Sequence, residues 1–166
     1  MHALALLSAG IAFVGAIMVI TRRVAVHAVL YLVVTLLAVA MVLALLGATF
    51  AAMLEIIIYA GAIMVLFVFV VMMLNSGQPD TAREGEGLRP HAWAGPGVLA
   101  GLLCGELLYA ATPFSGHAWP LAPLTTHDVG LGLFGRYVLM VELASFLLLA
   151  GLISALHIGR NRVEDR

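Results

Sequence analysis

The chain has 166 residues, of which 63% are hydrophobic, and its 17 glycines raise the apolar-plus-glycine share to roughly 73%, against ~45–50% in soluble domains. A water-soluble core of this size cannot hide so much apolar surface, so lipid is the expected solvent. A net charge of −1 without a basic run argues against nucleic-acid binding, and a single cysteine, Cys104, excludes an internal disulfide or a multi-cysteine metal site.

Residues 3–20 are uncharged and long enough for one span of a ~30 Å hydrocarbon core at ~1.5 Å per residue. Their flanking charges, Arg22 and Arg23, follow the apolar stretch, unlike those of a signal peptide, so the segment reads as a retained helix entering the membrane N-terminus-out. From Val24 to Leu74 the only charge is Glu55. One helix of that length would run ~76 Å. Two helices are therefore expected, about 25–47 and 50–74, with a turn near Gly47–Phe50.

Residues 75–92 collect Pro79, Pro90, three glycines and five charges, and read as a water-exposed cytoplasmic loop. A fourth helix is expected over about 93–111, then an outer loop over 112–131 with Pro113, Pro120 and Pro123, then a fifth helix over about 132–157. The expectation is an all-α integral membrane protein forming one membrane domain over residues 1–166, with five transmembrane helices. Arg22, Arg23, Arg83, Arg89, Arg160, Arg162 and Arg166 fall on one side and only Arg136 near the other, which predicts the N-terminus outside and the C-terminus cytoplasmic.

Three carboxylates lie within apolar spans: Glu55, Glu106 and Glu142. A charge there costs about 2.5–3.5 kcal/mol on insertion scales, which makes each a candidate proton carrier. The plainer reading is a neutral carboxyl bonded to a neighbouring helix, or one close enough to the interface to reach water. Glu55 is the strongest candidate, because Glu106 and Glu142 lie nearer their helix ends. At ~100° per residue, Glu55, Tyr59 and Ala62 share one helix face, a polar strip forming a candidate proton path. The run Ala60-Gly61-Ala62 permits either close packing or local deformation.

Gly97, Gly101 and Gly105 form a double GxxxG that favours tight helix contact. His27, His157, His117 and His127 show no metal-ligand spacing, so no metal site is expected. Neither a nucleophile triad nor a phosphate loop nor a haem ligand pair is present, so no active site of the chain's own is expected.

The stretch Val26-His-Ala-Val-Leu-Tyr-Leu, then Gly47-Ala-Thr-Phe, then Glu55-Ile-Ile-Ile-Tyr-Ala-Gly-Ala-Ile-Met-Val-Leu-Phe-Val-Phe closely resembles subunit J of proton-pumping NADH:quinone oxidoreductase, respiratory complex I. The late stretch Glu142-Leu-Ala-Ser-Phe-Leu-Leu-Leu-Ala-Gly-Leu-Ile resembles that family's last helix. The resemblance implies a non-catalytic membrane-arm subunit of the bacterial inner membrane, partnered by other membrane-arm subunits and lipid. FMN, iron–sulfur clusters, NADH and quinone would be bound by other subunits, and no cofactor by this chain. It also implies a π-bulge gate in the third helix near Tyr59, Gly61 and Val65, whose rotation makes or breaks a water path. Relatives in the family often carry glutamine at the position of Glu55, which points to a modulating role. Rival readings are a subunit of a related cation/proton antiporter or membrane-bound hydrogenase, and a small stand-alone transporter. The last would usually show an internal repeat, and none is visible.

Overall fold

The computed structural model describes residues 2–22, 25–75, 90–112 and 125–164, all helical apart from short turns and ends. These fall into two compact units, Met1–Leu124 and Thr125–Arg166, each described by itself. Five helices are long and apolar enough to cross a membrane: Ala3–Thr21, Ala25–Leu45, Thr49–Met73, Trp93–Ala111 and Val138–Arg160.

In the first unit, α1 (His2–Thr21) and α2 (Ala25–Leu45) pack along their lengths as neighbours joined by a short connection. The turn out of α2 follows directly from one glycine. Gly47 has φ 87°, a conformation L side chains rarely adopt. Its N–H donates to the Ala44 carbonyl at 3.0 Å, and the Ala48 N–H donates to the Leu43 carbonyl at 2.9 Å. That pair of bonds is a Schellman cap, which satisfies carbonyls the helix end would otherwise leave open. The turn thus falls where the sequence places it.

The third span comprises α3 (Thr49–Leu54), a π-helical segment (Glu55–Ile63) and α4 (Met64–Asn75), all continuous. It packs on α2. The fourth span, α5 (Pro90–Ala111), starts with proline at its first position, where the missing N–H costs nothing, and so begins three residues earlier than expected. The remainder of the expected loop 75–92, residues 76–89, lies outside the described residues.

The core lies between α1, α2 and α5. Ile11, Val34 and Ala38 are buried together, with Ala12, Leu99 and Leu103 packed against them. The stripes obey helical spacing: Ser8, Ile11 and Gly15 on α1, and Pro96, Leu99, Leu103 and Glu106 on α5. α2 is the hub, with 39% of its spanning window buried, against 6% for the third span.

In the second unit, α6 (Thr126–Leu131) occupies part of the stretch expected to be an outer loop. Its start is a capping box: the Asp128 N–H donates to Thr125 Oγ1 at 3.2 Å, while the Thr125 N–H donates to the Asp128 carboxylate at 3.3 Å. Residues 113–124, with the three prolines, lie outside the described residues. A π-helical turn (Gly132–Arg136) and the non-helical Tyr137 (φ −106°, ψ 17°) separate α6 from α7 (Val138–Glu164). The last helix therefore starts six residues later than expected. It also runs seven residues past His157.

Candidate functional site

The π segment alters which residues of the third span face α2. An α-helix repeats a face every three or four residues, whereas i→i+5 bonding inserts one extra residue per turn. The less exposed positions run Ala52, Glu55, Ala60, Gly61, Met64 and Val71, with a step of five between Glu55 and Ala60. The strip Glu55, Tyr59, Ala62 expected from α periodicity is therefore corrected: Tyr59 is 51% exposed and Ala62 is exposed, while Ala60 and Gly61 take the inward place. Val65 lies beyond the π segment in α4 and is 65% exposed.

Gly61 has a specific relation to this geometry. A Cβ at Gly61 would lie 3.2 Å from the carbonyl oxygen of Ile56, five residues back in the same helix. No atom of a neighbouring helix would be within 4 Å of it. Among the described residues the constraint on Gly61 comes from the π turn itself and not from a contact with another helix. Glu55 is half-buried and makes no side-chain hydrogen bond to another described residue.

Glu106, although near the end of α5, lies on the packed face of that helix. It is 5% exposed, and its Oε1 lies 2.6 Å from the hydroxyl of Ser8, which is fully buried. Ser8 Oγ also lies 3.1 Å from the Leu4 carbonyl one turn back. Glu106 Oε2 is buried with no hydrogen-bond partner among the described residues. The sequence contained a signal for this pair: Glu106 is the only charged residue of α5, and Ser8 is the only hydroxyl of α1 before Thr21. Glu142 is exposed within its unit, and its backbone carbonyl accepts from the Ser145 hydroxyl at 2.7 Å.

Among the described residues, the glycines that allow close approach of another helix are Gly15 and Gly95. A Cβ on Gly15 would collide with the Thr35 hydroxyl, and one on Gly95 with the Tyr31 phenol. Tyr31 is 3% exposed, with the Arg22 guanidinium 5.3 Å from its ring centroid, within cation–π range. A Cβ on Gly97, Gly101 or Gly105 would meet nothing within 4 Å, so the GxxxG stripe faces away from the helices of its own unit.

His27 is half-buried, His127 and His157 are exposed, and His117 lies outside the described residues. Cys104 is exposed. An iron–sulfur cluster needs several thiolates, and one cysteine does not fit that demand. Among the described residues no three His, Cys, Asp or Glu side chains converge on a metal position.

Comparison with known proteins agrees with the membrane architecture. The family described as NADH-ubiquinone/plastoquinone oxidoreductase chain 6 matches residues 15–158. NADH-quinone oxidoreductase subunit J of Escherichia coli K12 is 50% identical over 150 residues, covering 90% of this chain and 82% of the relative. Its counterpart in Pseudomonas aeruginosa PAO1 is 52% identical over 160 residues, 95% of this chain and 96% of the relative. Subunit J of Rhodobacter capsulatus is 36% identical over 90% of this chain and 77% of the relative. With half its residues shared over nearly its whole length, the chain belongs to the subunit J family of NADH-quinone oxidoreductase and is a membrane subunit of that enzyme complex.

Proposed function

We propose that this subunit is non-catalytic and gates a proton or water path through its third span, coupled to quinone reduction elsewhere in the complex. The observation that carries this reading is the π segment Glu55–Ile63 with Gly61 set against the Ile56 carbonyl. Conversion of that segment to α hydrogen bonding would withdraw the extra residue and rotate one half of the span against the other. Tyr59 would then move toward α2, in line with Glu55, and a polar strip would form where Ala60 and Gly61 now sit. Glu55 and Tyr59 are the proton-path residues on this reading, Gly61 is the pivot, and Val65 is carried with the rotating half.

NADH, FMN, the iron–sulfur clusters and quinone would be held by other subunits. The partners of this chain are other membrane-arm subunits, and the GxxxG stripe of Gly97, Gly101 and Gly105 suits a close helix contact with one of them. The setting is the bacterial inner membrane, with the N-terminus outside and the C-terminus cytoplasmic, supported by the arginine distribution. A cysteine placed at Asn161 should be inaccessible to an impermeant thiol reagent added to sealed cells, and labelling from outside would reverse that orientation.

The gate is tested by Gly61→Leu. A side chain at 61 crowds the Ile56 carbonyl in the π form and biases the segment toward one arrangement. Overpacking costs about 1–3 kcal/mol, which shifts a two-state population several-fold or more at ~1.4 kcal/mol per factor of ten. The assembled variant should lose most of its quinone-coupled proton pumping and retain NADH oxidation with an artificial acceptor. Unchanged pumping in verified complex would reject the gate.

A further inference from the structure

Glu106 and Ser8 form the most completely buried polar contact among the described residues, and the path through Glu55 makes no use of it. Ser8 Oγ is within hydrogen-bond distance of two acceptors, Glu106 Oε1 at 2.6 Å and the Leu4 carbonyl at 3.1 Å. A hydroxyl has one hydrogen and can give it to only one of them. If Glu106 is a carboxylate that takes the Ser8 hydrogen, Ser8 Oγ and the Leu4 carbonyl oxygen face each other as acceptors at 3.1 Å in a dry site, the carbonyl keeping only its helix N–H. A proton on Oε1 removes the conflict: Glu106 donates to Ser8 Oγ, and Ser8 donates to the Leu4 carbonyl. The 2.6 Å separation is a short O–H···O bond whichever of the two oxygens carries the hydrogen, so the choice rests on the surroundings.

The surroundings point the same way. No Lys, Arg, Asp or Glu occurs in α1 or α2, the two helices packed against α5, so neither supplies a counter-charge. Their titratable residues are His2 at the start of α1, and His27 and Tyr31 on α2. Tyr31 lies against Gly95, eleven residues from Glu106 and so ~16 Å along the helix. Glu106 Oε2, buried and unpartnered, would leave an ionised carboxylate half unsatisfied, whereas it is an ordinary carbonyl oxygen in the acid.

We propose that Glu106 and Ser8 form a second proton-binding site of this subunit, in which the Glu106 carboxyl holds an exchangeable proton shared with the Ser8 hydroxyl. Its ligand is H⁺ taken up by the carboxylate to give the neutral acid, with Oε2 as the open acceptor toward an incoming water or hydroxyl. Ser8 is a positioning residue that fixes the acid's orientation. The site rests on the established complex membership but does not require the π segment to move.

The test uses the whole purified complex in lipid, with infrared spectra of ¹³C-glutamate-labelled and unlabelled samples in H₂O and D₂O. The expected result is a carboxylic-acid C=O band that shifts with the label and with D₂O, is lost in Glu106→Gln and moves in Ser8→Ala. If Glu106→Gln fails to assemble, the labelled wild type against Ser8→Ala carries the same decision. A spectrum in which no labelled acid band responds to either substitution would overturn the proposal. Because the band is read at rest, its absence is distinguishable from failure of the gate, which is read by pumping in Gly61→Leu.

Discussion

Glu55 and Glu106 lie in the same half of the first unit yet in opposite surroundings. Each is within about two helical turns of the end at which α1 begins, α2 ends and α5 ends: Glu55 six residues after the start of α3, Glu106 five before the end of α5. Glu106 sits on the contact stripe of α5, closed in by α1 and bonded to Ser8. Glu55 sits at the first residue of a π segment, half-buried and unbonded. The comparison shows that distance from a helix end does not decide how dry an intramembrane carboxyl is. Its angular position relative to the packed face decides it. A fixed partner suits a held proton, and an unbonded carboxyl beside a deformable segment suits a group whose partners change.

A charge-reversing substitution should separate the two sites most widely. Glu106→Lys would bury an ammonium beside Ser8 without a counter-charge, at a cost of about 3 kcal/mol or more by the same insertion scale. The amount of assembled complex in membranes, read on native gels, should fall sharply. Glu55→Gln should leave assembly intact and reduce coupled turnover only in part. Equal assembly defects in the two variants would erase the distinction between a fixed and a free carboxyl.

A smaller effect is expected from glycines. Gly15→Leu would drive a side chain into Thr35 and cost about 1–3 kcal/mol of helix packing. A Cβ at Gly101 meets nothing within 4 Å among the described residues, so Gly101→Leu should leave the thermal stability of the isolated subunit in detergent unchanged. If Gly101→Leu destabilised the isolated subunit as much as Gly15→Leu, the assignment of the GxxxG stripe to a face outside this unit would fail.

Composition and local pattern were enough to establish the solvent, the number of spans and the turn at Gly47. Hydropathy over ~20 residues is a local sum set by the thickness of the bilayer, and a positive φ needs only one glycine. The same reading marked Glu106 as an intramembrane carboxylate but did not point to Ser8, because the two are 98 positions apart and only the packing of α1 on α5 brings them to 2.6 Å. Spacing alone also did not say which glycines of α5 meet the helices of this unit. Gly97, Gly101 and Gly105 form the recognisable pattern, but the rotation of α5 about its axis is fixed by Leu99 and Leu103 on the core, which turns that pattern away and brings Gly95 to Tyr31. The strip Glu55, Tyr59, Ala62 assumed α periodicity, and only the folded backbone shows the i→i+5 turn that replaces Tyr59 with Ala60 and Gly61 on the inward face. Span count follows from properties that add along the chain, whereas helix rotation and hydrogen-bond register depend on the balance of contacts between helices, which exists only once they are packed.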